Sequence, residues 1–488
     1  MTPAHAAPGR RLLLIALALT ALRLLAAGLI PLTEDEAYYR LWAQHLQAGY
    51  LDHPPMIAWW IRLGEMFAGD TALGVRLLPS LATGLTTWLV GDLARRLGLA
   101  EATAERAALW YNATFTIALG GMLATPDTPA CLFWTLALWC LARQWERGDG
   151  RWWLGAGLAA GLCCLSKYSG LFLAPGVFLW LLIAPGGLAE LKRPWPWLAA
   201  GLAVLAFAPN VIWNATHDWM TFDKQFGRVS GHGLHLGRAP EFLLTQFLLL
   251  NPLLAILAGR GAALGWRGRQ APDAPRVLLP LAVAAPFILY LTVHSLHDRV
   301  QGHWPVPAFS ALALCAAFAA ETSSTWIRRA VPILGLGLSA VLLLHLATQW
   351  PRLGGSDPAL HVRAWPAFAR QVEAERRSQG ATWVGVQSYG VAAQLDAARG
   401  VQAPVVQIAD RERYFDWQKA ANVTGPGLVL DLERRLKPAD LQLCFAQVQP
   451  LGVIDRGDGR SRWTRYALFR VAGPKRDILT GGCLKPDA

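Results

Sequence analysis

The chain has 488 residues, of which 54% are hydrophobic and only 16% charged, and its formal net charge is +12. Apolar runs of about 20 residues recur along it, which excludes an ordinary soluble globular protein, because runs of that length are what a bilayer requires. The basic excess is spread over short loops rather than gathered in one patch, so it reads as membrane topology and needs no nucleic-acid partner.

Eleven apolar stretches read as membrane-spanning helices, at 11–32, 72–94, 105–123, 128–143, 152–167, 169–185, 195–213, 240–259, 277–295, 304–320 and 329–348. Arg10 and Arg11 precede the first, as in a signal peptide, but the apolar run is too long and leads into carboxylates rather than a cleavage site. Arg23 lies within it and is expected to face the bundle interior or a water-filled cavity.

The first stretch runs into Thr33-Glu34-Asp35-Glu36. Thr33 and Glu36 have the spacing of a capping box. Asp35 has no such duty, and a carboxylate at the membrane–water boundary is costly unless solvated or paired, which marks it as functional. In the loop Thr33–Pro55, Tyr38, Leu41, Trp42 and His45 recur at helical spacing and predict a short amphipathic helix with its rings at headgroup depth. A second such helix follows Pro54-Pro55 and carries Trp59 and Trp60.

Further along, Asp127 lies in Ala124-Thr125-Pro126-Asp127-Thr128-Pro129, where it either caps the fourth span or faces a cavity. Lys167 sits between two spans in Ser166-Lys167-Tyr168-Ser169-Gly170. Such a lysine either snorkels to the headgroups or holds a phosphate. His297-Asp298-Arg299 through His303-Trp304-Pro305 forms another cationic rim.

Loops rich in Lys and Arg alternate with poorer ones. The rich set holds Arg95, Arg96 and Arg106; Arg143, Arg147 and Arg151; Lys192 and Arg193; Arg260, Arg267, Arg269 and Arg276; and Arg328 and Arg329. These predict a cytoplasmic side that includes the N-terminus. His45, His53, His217, His232, His235, His294, His297 and His303 then share the outer side with Asp35, Asp52, Asp127, Asp218, Lys167, Lys224, Arg228 and Arg299. Titratable groups gathered at one face of a bundle predict a cavity opening there.

Residues 350–488 are a different material, expected to form a separate α/β domain on the outer, periplasmic side, after a membrane domain at 1–349. Thr382–Val386, Val405–Ile408, Leu428–Leu432 and Tyr466–Val471 read as strands, and Trp365–Arg377 and Gly390–Ala398 as helices. Cys444 and Cys483 fall here, where a disulfide is permitted but not required. The other five cysteines (131, 140, 163, 164 and 315) lie in spans and read as packing residues.

Carboxylates and cations at one lipid-facing cavity suit transfer of a sugar from a lipid phosphate. The leaving phosphate needs cations or a metal, and the acceptor hydroxyl needs a base. Asp35-Glu36-Ala-Tyr-Tyr followed by Asp52-His53-Pro54-Pro55 resembles the GT-C glycosyltransferases of the dolichyl-phosphate-mannose protein mannosyltransferase type. Their bacterial relatives include the aminoarabinose and galacturonic-acid transferases of lipid A. The resemblance covers roughly 10–320 and fades in the tail.

The resemblance implies a polytopic α-helical protein of the bacterial inner membrane, with about eleven transmembrane helices, that takes a polyprenyl-phosphate sugar as donor. The acceptor would be a periplasmic lipid, glycan or protein. It implies catalytic roles for Asp35, its partner Glu36, and Asp127, and substrate contacts for Asp52, His53, Lys167, Arg299, His303, Tyr38 and Tyr39. His53 stands where aminoarabinose transferases carry a lysine. Some relatives bind a divalent ion near the first loop and others need none. Asp52 and His53, with a further histidine, are the candidate ligands for a divalent ion here, and the sequence establishes no cofactor. The rival reading is a transporter or flippase for lipid-linked sugars, which also explains intramembrane charge.

Overall fold

Each of the eleven stretches is helical, but not each is one helix. The computed structural model describes residues 9–227, 233–269, 271, 274–353, 357–413, 423, 425–457, 461 and 463–479. In chain order its helices are α1 (Arg10–Leu29), α2 (Glu34–Gln44), α3 (Met56–Ala68), α4 (Ala72–Arg96), α5 (Glu101–Asn112), α6 (Phe115–Gly120), α7 (Asp127–Arg147), α8 (Arg151–Ser166), α9 (Leu173–Ile183) and α10 (Pro194–Ala215). There follow α11 (Met220–Phe226), α12 (Arg238–Leu249), α13 (Pro252–Arg267), α14 (Ala274–His294), α15 (Phe309–Ala320), α16 (Thr325–Thr348), α17 (Trp365–Ser378), α18 (Tyr389–Ala398) and α19 (Pro438–Gln442).

Among the described residues, five helices are long and apolar enough to cross a bilayer: α1, α4, α10, α14 from Arg276 and α16. The pair α12 and α13 would count as a sixth span, but it bends by 104°. Residues 105–123 and 240–259 were expected as single spans and are both broken, for reasons that can be named. Thr114 ends the α5 segment and caps α6, its hydroxyl accepting from Ile117 N at 3.3 Å. Asn251 stands before Pro252 with φ of 78°, and its side chain accepts from Leu253 N. Its amide donates to Ala113 O at 3.2 Å and to Val331 O at 2.9 Å. The Asn251 side chain thus satisfies backbone at both breaks, which a membrane interior demands.

The surface of these helices is that of a membrane protein. Leu17, Leu22 and Leu25 of α1, Val204 and Leu205 of α10, and Ile333 and Val341 of α16 are all exposed. Charge turns inward instead: Arg23 is buried, and its guanidinium meets the Asn112 side chain, as expected of a cation inside a span. Glycines permit the closest helix approaches. Gly157 and Gly161 of α8 lie against the α10 backbone at Ala199 and Ala203, with no room for a Cβ.

The chain forms two compact units. Unit 1 comprises Met1–Gly28 and Gln47–Leu342, and unit 2 comprises Leu29–Leu46 and Leu343–Ala488. This differs from a single cut at 349/350, because α2 groups with the C-terminal residues. The amphipathic-helix reading of α2 changes accordingly. Tyr38 and Trp42 are buried within protein, and Tyr38 packs on Tyr389 with ring centroids 4.8 Å apart. Helix α3 does keep Met66 and Phe67 exposed, as an interfacial helix would.

Unit 2 holds a five-stranded sheet of β1 (Trp383–Val386), β2 (Val405–Gln407), β3 (Gly427–Leu432), β4 (Phe445–Asp455) and β5 (Arg465–Pro474), in the order β2-β1-β3-β5-β4. Strands β2, β1 and β3 are parallel, with Val384 opposite Leu428, and β5 runs antiparallel to β3 and β4. The predicted strands and helices are all present. Strand β4 escaped prediction because Pro450 and Gly452 interrupt its pattern, and the register shifts between them. Phe368, Val372, Val391 and Leu395 of α17 and α18 cover one sheet face with Leu428 and Leu430. Trp383, Val429 and Phe469 form the other core. Cys444 is disulfide-bonded; Cys483 lies outside the described residues, as do Arg228 and His232. The five cysteines of the spans are unbridged and buried.

Candidate functional site

In unit 1 the polar residues converge where helices end. Asp127 opens α7, but the cap position is Pro126 and no side-chain cap bond forms. Thr128 fixes the turn instead, its hydroxyl donating to Leu123 O at 2.8 Å and Thr125 O at 2.9 Å. Lys167 ends α8 in an extended conformation before the 3-10 turn Tyr168–Phe172. Gly170 in that turn lies so close to the α8 backbone that a Cβ would stand 2.6 Å from Cys164 N. This geometry directs Lys167 at Asp127, with Nζ 2.6 Å from Oδ1. Only 12% of the Lys167 side chain and 15% of that of Asp127 is exposed. His303 Nε2 stands 3.7 Å from Asp127 Oδ2 and is about half exposed.

His53 feels all of these groups. Burial pushes its imidazole down to about 4, Lys167 and His303 push the same way, and Asp52 and Asp127 oppose them. His53 is therefore neutral near pH 7, whereas a lysine at this position would carry charge. Asp52 pairs with Lys224, Oδ1 to Nζ 2.9 Å. Gln225 Nε2 donates to Asp52 O at 2.6 Å, and Thr221 Oγ1 donates to Tyr50 O at 2.8 Å.

The same loop is anchored by residues that sequence reasoning missed. Asn210 Nδ2 donates to Ala48 O at 2.9 Å, and its Oδ1 accepts from the Tyr168 hydroxyl at 2.9 Å. Asn214 Oδ1 accepts from Thr221 N at 3.2 Å. Both asparagines are fully buried. Their signal was present, as two amides one helical turn apart in an otherwise apolar stretch. Gly49 sits against the Trp213 ring with no space for a side chain, and Trp213 Nε1 donates to Gln47 Oε1 at 3.0 Å.

Unit 2 contains the acidic turn. The capping box is formed: Glu36 N donates to Thr33 Oγ1 at 3.3 Å, and Glu36 Oε2 accepts from Thr33 N at 3.0 Å. Glu36 is wholly buried in this duty. Asp35, in the same turn, is exposed, and its Oδ1 accepts from the Tyr389 hydroxyl at 2.8 Å. Glu34 packs against Gly390, and burial raises its carboxyl above the usual range, opposed by Arg456 and Arg435 and helped by Asp35. Tyr38 and Tyr39 are buried among Trp42 and Tyr389. Arg40 fixes α2 to α18 through Asp396, Nη1 to Oδ2 2.8 Å.

The structure thus brings Asp52, His53, Asp127, Lys167 and His303 together in unit 1, and sets Asp35, Glu36, Tyr38 and Tyr39 on α2 in unit 2. Arg299 is exposed, and its side chain makes no ion pair among the described residues. Among the described residues no group of three or more His, Cys, Asp or Glu is placed to hold a metal ion. Asp52 and His53 therefore lack a third such ligand there, and a tetrahedral site does not follow from them.

The family model for dolichyl-phosphate-mannose-protein mannosyltransferase matches residues 52–213, which carry Asp52, His53, Asp127 and Lys167. A lipid A galacturonosyltransferase of Rhizobium johnstonii is 29% identical over 327 residues, 65% of this chain and 66% of the relative. An undecaprenyl phosphate-alpha-4-amino-4-deoxy-L-arabinose arabinosyl transferase of Edwardsiella ictaluri is 29% identical over 325 residues, 60% of this chain and 55% of the relative. The chain spans between about half and two thirds of the length of these relatives. The crystal structure of ArnT from Cupriavidus metallidurans bound to undecaprenyl phosphate superposes with a TM-score of 0.65 at 15% identity, covering 96% of this chain and 100% of that one. The fold is that of ArnT, and the family and bacterial relatives that match are those the sequence resembles.

Proposed function

We propose that this chain is an inner-membrane glycosyltransferase that moves a sugar from a polyprenyl-phosphate donor to an envelope acceptor, with lipid A the first candidate. The observation that carries the reading is the Asp127–Lys167–His303 cluster with neutral His53, lying within the matched segment or, for His303, beside it. Lys167 and the exposed Arg299 supply positive charge for a departing phosphate, and His303 offers a ring N–H as a further donor. Asp127 holds Lys167 in place in the absence of substrate and competes with the phosphate for it. Asp35 is the exposed carboxylate suited to draw a proton from an acceptor hydroxyl, or to orient an acceptor that is already ionised. Glu36 supports it by fixing the first turn of α2, while Tyr38 and Tyr39 act from beneath it rather than by touching sugar. Asp52 and His53 shape the donor side. A glycan or protein acceptor in place of lipid A is compatible with the same chemistry. The relatives named above are transferases, which supports this reading over a flippase.

The test is transfer by purified protein in detergent, offering lipid A with undecaprenyl-phosphate galacturonate, undecaprenyl-phosphate aminoarabinose, and the matching nucleotide sugars. Transfer from one lipid-linked donor and none from the nucleotide sugars is expected. Use of nucleotide sugars alone would overturn the assignment. The proposed orientation has the N-terminus cytoplasmic and residues 350–488 periplasmic. A reporter active only in the periplasm should therefore work after Arg352 and be silent after Arg267.

A further inference from the structure

The turn that follows β1 is built around a buried carboxylate. Asp431 of β3 is fully buried; its Oδ2 accepts from Gln387 N at 2.9 Å and Ser388 N at 2.7 Å, and its Oδ1 accepts from Leu432 N at 2.7 Å. Two backbone bonds to one buried carboxylate hold the turn more firmly than an ordinary loop is held, and the third orients that carboxylate on its own strand. The next residue, Tyr389, opens α18. Its ring packs against Tyr38, with centroids 4.8 Å apart, and the Arg413 guanidinium stands 4.5 Å from its centre. A cation over the face of a phenol draws electron density from the ring and makes the hydroxyl a better donor. That hydroxyl is the group 2.8 Å from Asp35 Oδ1. Helix α2, which carries Asp35, is fastened to α18 by Arg40–Asp396 and by Gln394 Nε2 donating to Leu32 O at 2.8 Å.

We propose that Tyr389 is a positioning residue for Asp35, so that the α/β unit sets the orientation of the carboxylate that serves the acceptor. Asp35 lies in a first helical turn, where an exposed side chain has several rotamers open to it. A hydrogen bond from a rigid phenol selects among them and fixes the plane of the carboxylate before the acceptor arrives. Preorganisation of this kind raises the rate of the chemical step and leaves binding of the lipid donor alone. The geometry gives the α/β fold a role in the reaction without requiring any of its own side chains to touch sugar.

This inference rests on the reading of Asp35 given above, and the test separates the two. In the purified full-length protein, Tyr389→Phe keeps the ring and its packing and removes only the hydroxyl. It should lower kcat by about 10-fold, as expected for a lost hydrogen bond to a charged group. KM for undecaprenyl-phosphate sugar should stay within about twofold and thermal stability in detergent should be unchanged, because the ring contacts persist. In single-turnover reactions with excess enzyme, Tyr389→Phe should cost nothing further in an Asp35→Asn background, since one group acts through the other. Wild-type kcat in Tyr389→Phe, or losses that multiply in the double variant, would overturn the inference while the role of Asp35 stands. Near-normal transfer by Asp35→Asn itself would instead overturn the underlying reading.

Discussion

The two acidic centres of this molecule are built on opposite plans. In unit 1 Asp127 is largely shielded, with 15% of its side chain exposed, and its charge is answered at 2.6 Å by Lys167. In unit 2 Asp35 is exposed and is held at 2.8 Å by a phenol. Two charges in a shielded site pay a desolvation cost that their attraction only roughly offsets, so the first pair is stable only while both members remain. An exposed carboxylate bears little such cost and can take part in proton or acceptor chemistry without unsettling its unit. The comparison teaches that a carboxylate shielded and ion-paired within its unit is not thereby the one best placed to act as base.

Substituting each centre tests this contrast, and the largest effect belongs to Asp35. Asp35→Asn should lower transfer on the order of 100-fold or more, with folding and membrane insertion intact. Rates and detergent melting curves measured on the same preparation would show it, and a collapse of both together would break the comparison. Lys167→Ala should behave differently. It leaves Asp127 without its ammonium, which should cost about 3 kcal/mol of stability and raise KM for the lipid donor by about 10-fold or more. Adding Asp127→Asn should restore much of the melting temperature but not KM, because the phosphate contact stays lost. Full recovery of KM in the double variant would mean that the pair is purely structural.

Unit 2 also makes a separable prediction about acid. Arg376 first, then the Gln402 amide and Arg377, hold the Glu373 carboxyl down at about 2, against an ordinary value of 4.5. A depressed carboxyl contributes stability that is present above 4.5 and lost as pH falls through about 2. Acid denaturation followed in that window should therefore be steeper in the wild type than in Glu373→Gln, which gives up the stabilisation at every pH. Equal slopes would show that the Arg376–Glu373 contact contributes nothing. The smallest effect belongs to the exposed Arg299. Arg299→Ala should raise KM for the lipid donor only about threefold, as befits a solvated charge, and Arg299→Lys should retain most of the affinity.

Much of this architecture was legible because its causes are local. Apolar runs specified the helices, and Thr33 with Glu36 announced the first turn of α2. What stayed hidden was set by contacts between distant residues. Asn251 breaks a predicted span because its amide is claimed by Ala113 and Val331, 138 and 80 residues away. Tyr389 meets Asp35 across 354 residues, and nothing around it marks it as different from any tyrosine at a helix start. Asp127 was read as either a cap or a cavity group, and only the position of Lys167 decides for the ion pair. Strand β4 was concealed by its own irregularity, the bulge at Pro450 and Gly452. The rings of α2 were assigned to lipid because sequence periodicity identifies an apolar face without naming what covers it.

The discontinuity of unit 2 has a consequence for anyone recombining this chain with its relatives. Residues 29–46 and 343–488 form one compact body although most of the chain separates them. Between α2 and α18 the clearance is so small that a Cβ on Gly390 would stand 2.7 Å from Glu34 Oε2. A chimaera that borrows only the C-terminal domain of a relative would join an α18 shaped for one acidic turn to the acidic turn of another. The natural crossover takes three junctions, one on each side of α2 and one near residue 343, so that the short segment and the long one travel together.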